Sequence, residues 1–450
     1  MAWPAYLNEY EKLVIRMDTP RVVIDNAVCP TATLVKVDSA RKHGILLEAV
    51  QVLADLNLSV KKAYISSDGR WFMDVFHVTD QFGRKLADDS VISYLEQSLD
   101  TEDDGLRRAC CAETFTALEL TGADRPGLLS EVFAVLADLG CGVVEAKIWT
   151  HNGRIACLVS VKDELTGSAI DDDAQRIHHI ESRLLHVLKG DRGGCSARIV
   201  VSSVAVAQAD RRLHQMMFAD RDYERASPSA ASSSSPAVSV QNWAEKGYSV
   251  VTVQCRDRSK LLFDMVCTLT DMEYVVFHGK IDTDGDLAHQ EFYIRHKDGS
   301  PINSEAERQR MIQCLQAAIE RRASEGLRLE LCMEDRPGLL SDLTRTFREN
   351  GLLVRSSEIS TKGDMALCVF YVTNVAGRPA DTKVIDAVRQ RIGPDCLIVM
   401  EEQQPQLRRR AADDGREEAQ GSGGVGNGLF YLGNLFWRNL YNLGLIKSCS

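Results

Sequence analysis

The 450-residue sequence has no apolar run approaching the roughly 18 residues that a membrane-crossing helix needs, so no transmembrane segment is expected. It has no surplus of positive charge either: 53 Lys and Arg stand against 64 Asp and Glu, a net charge of −11. That balance excludes a broad nucleic-acid surface, because counterion release needs clustered cations. The 13 cysteines form no CxxC pair and no Cys/His ladder, so no metal site is expected. Cys110 and Cys111 are adjacent, while Cys141, Cys157, Cys255, Cys267, Cys332 and Cys368 sit in apolar surroundings. Such usage predicts reduced core thiols in a cytoplasmic or nuclear compartment. The start, MAWPAYLNEYEKLVIRMDTP, carries acids but no basic n-region and no early glycine, so no leader is expected there. GxSxG, Walker and kinase signatures are all missing. A non-catalytic chain without cofactors is expected.

What the sequence does have is an internal repeat. TALELTGADRPGLLSEVFAVLADLGCGVVEAKIWT, from Thr116, returns as LRLELCMEDRPGLLSDLTRTFRENGLLVRSSEIST, from Leu327. Two weaker copies begin at Thr31 and Tyr248. Each copy opens with an alternating strand and an Asp-containing turn. A helical stripe follows, made in the second copy by Leu128, Leu129, Val132, Phe133, Leu136 and Leu139. Gly140 and Gly351 end the first helix in these two copies. A second strand then runs into the turns SDGR, HNGR, TDGD and TKGD, whose glycines supply the positive φ of a tight hairpin. A third strand and a second helix complete the frame, and residues 197–204 and 396–400 add closing strands to copies two and four.

The order strand-helix-strand-strand-helix-strand predicts an α+β protein of four ferredoxin-like βαββαβ modules, antiparallel sheets with both helices on one face. Modules of about 70 residues bury only a modest core, so pairing side by side through edge strands is expected. The boundaries read as an N-terminal segment at 1–20 and modules at 31–105, 114–206, 247–324 and 326–402. A Ser-rich linker at 207–246 and a flexible segment with an aromatic tail at 403–450 complete the chain. The linker divides the modules into two consecutive pairs joined by a tether.

DRPGLL occurs twice between strand and helix, as Asp124, Arg125, Pro126, Gly127, Leu128 and Leu129, and as Asp335, Arg336, Pro337, Gly338, Leu339 and Leu340. Free N–H groups and the positive end of a helix dipole make that position an anion site. The glycines let a carboxylate approach the backbone, and the prolines suit the first helical position. Asp124 and Asp335 could accept from an ammonium, so the pair of grips matches a free α-amino acid. The plainer reading is helix capping, since Asp and Pro both start helices well. Capping alone does not require two identical hexapeptides 211 residues apart.

DRPGLL in this setting resembles the ACT domain, the small-ligand-sensing module of amino-acid metabolism. Four copies at this spacing, and the ending NLGLIKSCS, resemble the plant ACT-domain-repeat proteins over residues 20–450. The resemblance implies amino-acid binding at the strand-to-helix turn, usually at a module–module interface, and regulation rather than catalysis. The DRPGLL form is similar to modules of bacterial nitrogen-sensing uridylyltransferases, which implies glutamine as ligand. The first copy keeps Asp38 and Gly44 but has no Pro, and the third has Asp257 followed by Ser259 and Lys260. These two are expected to be weaker sites or structural partners that complete the other two. A homodimer and a protein target fit the same reading. The alternative is a scaffold of this fold without ligand.

Other clusters carry less. His178-His179 lie on an acidic amphipathic helix, and Asp282, Asp284 and Asp286 lack the rest of a calcium loop. Asp171 to Asp173 read as a helix start. Trp71, Phe72 and Phe76 approach an RNA-stacking strand, which the acidic pI near 5.5 opposes. In the tail, Leu429, Leu432, Leu435, Phe436, Leu440 and Leu443 fall close to helical spacing. They suit docking on the protein's own modules, or else a partner or membrane surface. Cys449 is not in a prenylation box.

Overall fold

In the computed structural model, the described residues are 21–40, 44–67, 71–100, 115–170, 174–190, 197–202, 208–224, 236–322, 326–393 and 396–400. An N-terminal strand β1 (Arg21–Asp25) precedes module 1, which is β2 (Thr33–Ala40), α1 (Ile45–Asp55), β3 (Ser59–Ser67), β4 (Trp71–Thr79) and α2 (Asp89–Asp100). Module 2 is β5 (Thr116–Ala123), α3 (Leu128–Asp138), β6 (Cys141–His151), β7 (Arg154–Asp163), α4 (Ala174–Lys189) and β8 (Arg198–Ser202). Helix α5 (Ala209–Ala219) and strand β9 (Ala237–Trp243) come next. Module 3 is β10 (Tyr248–Arg256), α6 (Leu261–Asp271), β11 (Tyr274–Asp284), β12 (Leu287–His296) and α7 (Glu305–Arg321). Module 4 is β13 (Leu327–Glu334), α8 (Leu339–Glu349), β14 (Leu352–Lys362), β15 (Met365–Asn374), α9 (Thr382–Ile392) and β16 (Leu397–Met400). The stripe on α3 is buried as its spacing predicts, and Asn152-Gly153 turns the β6–β7 hairpin with both residues at positive φ. The hairpin turn expected at Ser67 runs into 68–70, and the Asp171–Asp173 run into 171–173, both outside the described residues.

The strands form two eight-stranded antiparallel sheets. Their orders are β1-β2-β4-β3-β11-β12-β10-β9 and β16-β13-β15-β14-β6-β7-β5-β8. Module 1 therefore pairs with module 3, and module 2 with module 4. Consecutive modules do not share a sheet, so the two consecutive pairs expected on either side of the linker are replaced by interleaved ones. Each joint is five residue pairs long: Lys62 to Ser66 against His278 to Asp282, and Glu145 to Trp149 against Ser356 to Ser360. In the second joint Lys147 lies opposite Glu358, 211 residues on, so a local twofold passes between them. Each joint fuses two module cores into one.

Two further expectations change. Modules 1 and 3 take their outermost strand from before the module, β1 on β2 and β9 on β10, because the edge needs a partner and these segments supply one. Their order is ββαββα, whereas modules 2 and 4 keep the closing strands β8 and β16. Residues 207–246 are not linker throughout. They contain α5, a 3₁₀ turn at Asp222–Glu224, and β9.

Helix α5 lies between the two pairs. Its Leu213, Met216 and Met217 bury Trp149, Ala156 and Leu158 on the helix-free face of module 2. Its polar residues enter a buried charge cluster. Asp210 takes Lys147 at 2.5 Å, Lys260 at 2.9 Å and Arg322 at 3.1 Å. Burial would raise this carboxyl, but Arg322, Lys147 and Lys260 outweigh it and hold it well below the usual range. Asp264 collects Arg258, Arg322 and His214, and Asp222 takes Arg321 through two bonds of 2.7 and 2.6 Å and His151 at 2.8 Å.

Two outcomes follow. A protease site inserted between Ser232 and Ser233 should, after cutting, leave two fragments that co-elute at the mass of the intact chain; separation would show that modules pair with their chain neighbours. Asp222→Ala should cost about 3–5 kcal/mol in chemical denaturation, because Arg321 is left buried without its partner. Burial pushes the Asp222 carboxyl up, but Arg321 and His151 hold it well below the usual range. Its stabilising contribution is thus full above roughly pH 4 and lost as the pH falls further.

Candidate ligand site at the strand-to-helix turns

The DRPG residues form a turn of their own ahead of the helix. The Leu128 N–H donates to the Arg125 carbonyl at 3.1 Å, and Leu339 to Arg336 at 3.0 Å. Gly127 has φ 87° and ψ −4°, and Gly338 has φ 76° and ψ 1°. This is a type II β-turn with Pro at its second position and Gly at its third. The helices start one residue after the glycines, so Pro126 and Pro337 do not occupy the first helical position. The glycines are required for positive φ, beyond any room they give a ligand. The caps are these glycines, not the aspartates. Asp124, Asp257 and Asp335 instead donate their backbone N–H groups to hairpin carbonyls of Gly153, Asp286 and Asp364, at 2.9, 2.7 and 2.8 Å.

Two kinds of residue in the motif prove structural. Arg125 pairs with Glu131 and donates to the Val187 carbonyl at 3.2 Å; Arg258 does the same with Asp264 and Ile319. Arg336 pairs with Asp342 at 2.6 Å. Each arginine thus ties the turn to an acid six residues on. Leu128, Leu129, Leu339 and Leu340 are buried in the core. Leu128 and Leu339 spend their backbone N–H groups on the Arg125 and Arg336 carbonyls, so among the described residues it is the N–H groups of Leu129 and Leu340, with those of Ser130 and Ser341, that have no main-chain acceptor. A ligand carboxylate there would meet main chain.

The turns of modules 2 and 4 differ where they meet the partner. Helices α3 and α8 pack together, with Ser341 Oγ donating to the Ser130 carbonyl at 3.3 Å. Arg348 of α8 crosses over Gly127: a Cβ at residue 127 would stand 2.5 Å from its Cδ, and its Nη1 donates to Ser130 Oγ at 3.4 Å. By the local twofold the same place beside Gly338 falls to Ala137, and no atom lies within 4 Å of a Cβ built there. The aspartates differ likewise. Burial raises Asp124 to about 6, and Arg355 of module 4, at the bulge in β14, pulls it back. Asp335 is exposed and is raised by its partial burial, with Lys162 acting on it from a distance. The residue matching Arg355 is Val144. The floors of the turns are Cys157 and Cys368, thiols pushed up by burial first and by Asp124 and Asp335 second.

Modules 1 and 3 are arranged differently. Lys260 stands in the glycine position at φ 62° and sends its ammonium to Asp210, not over its own turn. Asp257 pairs with Lys61, the bulge residue of module 1, at 3.4 Å. Asp38 lies within β2 beside Lys36 at 3.3 Å, away from the turn, and Gly44 caps α1 at φ 99° with open space around it. A feature that sequence reasoning missed is a small cavity, about 20 Å³, between Leu53 and Ala54 of α1 and Asp257, Lys260, Leu262 and Gln290 of module 3. Gln290 is 2% exposed, and its Oε1 has no hydrogen-bond partner among the described residues. A signal for it exists in the repeat: in the register that puts Cys157 opposite Leu120 and Cys368 opposite Leu331, modules 1 and 3 carry Asp74 and Gln290. Asp74 is raised to about 7 by burial.

Known proteins match this arrangement module by module. The model for the ACR family N-terminal ACT domain matches residues 28–105, and that for an ACR9-like, ACT-like domain matches 237–324, which begins on β9. ACT domain models match 116–186 and 327–390. ACT domain-containing protein ACR8 of Arabidopsis thaliana is 60% identical over 451 residues, covering 100% of both chains. ACT domain-containing protein ACR4 of the same plant is 52% identical over 460 residues, 98% of each chain. A bifunctional uridylyltransferase/uridylyl-removing enzyme of Rhodospirillum rubrum is 27% identical over 196 residues, 44% of this chain and 19% of that one. Four ferredoxin-like modules, two DRPGLL turns and end-to-end identity with these plant proteins lead to one conclusion: the chain belongs to the plant ACT-domain-repeat (ACR) family.

Proposed function

We propose that this protein is a non-catalytic amino-acid sensor, with the ligand held at the turn of module 4 where module 2 closes over it. The observation that carries this reading is the open space at Gly338 beside an Asp335 that forms no ion pair among the described residues. The ligand carboxylate sits on the N–H groups of Leu340 and Ser341, at the positive end of α8. Its ammonium meets Asp335, and its side chain faces the small apolar residues Ala137 and Val144 of module 2. Glutamine, expected from the sequence resemblance, is the first ligand to try.

A scaffold without ligand is the second reading, and a specific observation favours it. Two of the four turns are served by the protein's own cations: Arg348 lies over Gly127, and Lys61 pairs with Asp257 of module 3.

The readings separate in a thermal-shift screen of the twenty amino acids on the intact chain. A binder at about 100 times its dissociation constant adds about 2.7 kcal/mol of stability, whereas a scaffold shows no shift with any of them. Asp335→Ala should weaken binding by tenfold or more, on the scale of about 1.5–3 kcal/mol for a hydrogen bond to a charged group. Asp124→Ala should leave it unchanged, because Arg348 already lies over the turn of module 2. Arg348→Ala should uncover the turn of module 2 and raise the calorimetric stoichiometry from one ligand per chain to two; an unchanged stoichiometry would show that the arginine is not what keeps that turn closed.

A further inference from the structure

The helix-free faces of the two halves of the module 2/module 4 sheet are not treated alike. On the module 2 half, α5 follows β8 within a few residues and covers Trp149, Ala156 and Leu158, the last two at 0% and 7% exposure. The local twofold carries Ala156 to Leu367 and Leu158 to Val369. A single row of residues crosses the face: Ile398, Glu330, Val369, Glu358, Lys147, Leu158, Glu119 and Val200 are each opposite the next in the strand register. On the module 4 half of this face Leu367, Val369 and Tyr371 are half-buried, and Ile398 is 40% exposed. None of these four belongs to the buried cluster that α5 makes on the other half.

We infer that residues 428–448 of the C-terminal segment dock on this module 4 face, as α5 docks on the matching face of module 2. The chain leaves β16 at the edge of this face just as it leaves β8 at the edge of the face that α5 covers, and the next apolar segment in sequence is LFYLGNLFWRNLYNLGLI. Its Leu432, Leu435, Phe436, Leu440 and Leu443 offer an apolar set like Leu213, Met216 and Met217 of α5. The intervening residues 401–427 can span up to about 90 Å, while four strands are only about 20 Å across, so reach does not limit the contact. The helix-free face of the other sheet fits the segment less well. Its rings, Trp243, Tyr248, Phe277 and Tyr293, already pack on one another. The inference is independent of any ligand at the turns.

A photo-crosslinking residue placed at Leu440 of the full chain should attach to peptides holding Leu367, Val369, Tyr371 or Ile398. Trypsin should cut after Arg438 in the intact protein about tenfold more slowly than in a free peptide of residues 428–450, since protection follows the population of the undocked state. Val369→Asp should abolish both effects. Ile398→Asp, on an exposed edge strand, should do the same while circular dichroism shows an intact fold. Attachment to the other sheet, to a second copy or to added lipid vesicles would overturn the inference, as would cutting at the free-peptide rate.

Discussion

The carboxylate of Asp210 is the point on which the architecture turns. It stands on a helix that belongs to neither sheet, and its three cations come from three places: Lys147 from the central joint of one pair, and Lys260 and Arg322 from the two ends of module 3. Removing those charges from water is costly, and the cost is offset only when all of them meet. One arrangement of the two pairs achieves that. It brings α5 down onto module 2, sets α6 beside it through the His214–Asp264 pair, and leaves Lys147 a second partner in Glu358. The apolar contacts of α5 with Trp149 and Leu158 add burial, but burial is not directional and would tolerate other placements of the helix.

The four modules carry four versions of a single turn, and each difference can be stated as a residue. The third position is Gly44, Gly127, Lys260 or Gly338. The partner's bulge residue is a cation for modules 2 and 3, Arg355 and Lys61, and apolar for module 4, Val144. Asp257 is already paired with Lys61, and the turn of module 2 is covered by Arg348, so neither is open to a ligand. Among the described residues, only the module 4 turn combines a glycine, free space and an aspartate without an ion pair, so an equal fourfold motif becomes an unequal set of sites.

Much of this is legible in the amino-acid sequence. Leu128, Val132 and Leu136 at helical steps, the Asn152-Gly153 turn and the alternation of Leu118 with Leu120 specify local structure because their causes are local. The pairing of modules is not legible. It depends on β3 meeting β11 and β6 meeting β14, contacts between segments some 200 residues apart that no spacing records. Helix α5 is hidden for a related reason: its Asp210, Arg211 and Arg212 read as a solvated run until Lys260, Asp271 and Glu119 are brought to them. At the turn, DRPGLL stands out by its repetition, but the roles of its parts do not. Proline and arginine look like ligand-facing or capping residues, and only the 3.1 Å bond from Leu128 to Arg125 and the ion pair with Glu131 show that they build the turn.

The joints also explain why one chain carries unlike modules instead of two copies of a like pair. At the local twofold each module sets one residue directly opposite its counterpart. For modules 2 and 4 these are Lys147 and Glu358, an ion pair at 2.9 Å. Two copies of module 2 joined in the same way would set Lys147 against Lys147, and two of module 4 would set Glu358 against Glu358. Like charges directly opposite across an antiparallel pair are destabilising, and here they would be partly buried. Module 3 has Lys280 at that place, opposite Tyr64 of module 1, so two copies of it would clash in the same manner. Edge strands of nearly equal apolar pattern would otherwise pair without preference between copies of the chain. The charge at the twofold selects the unlike partner. Because only the unlike partner brings Arg348 to one turn and Ala137 to the other, the same few charges that choose the pairing also decide which turn is left open.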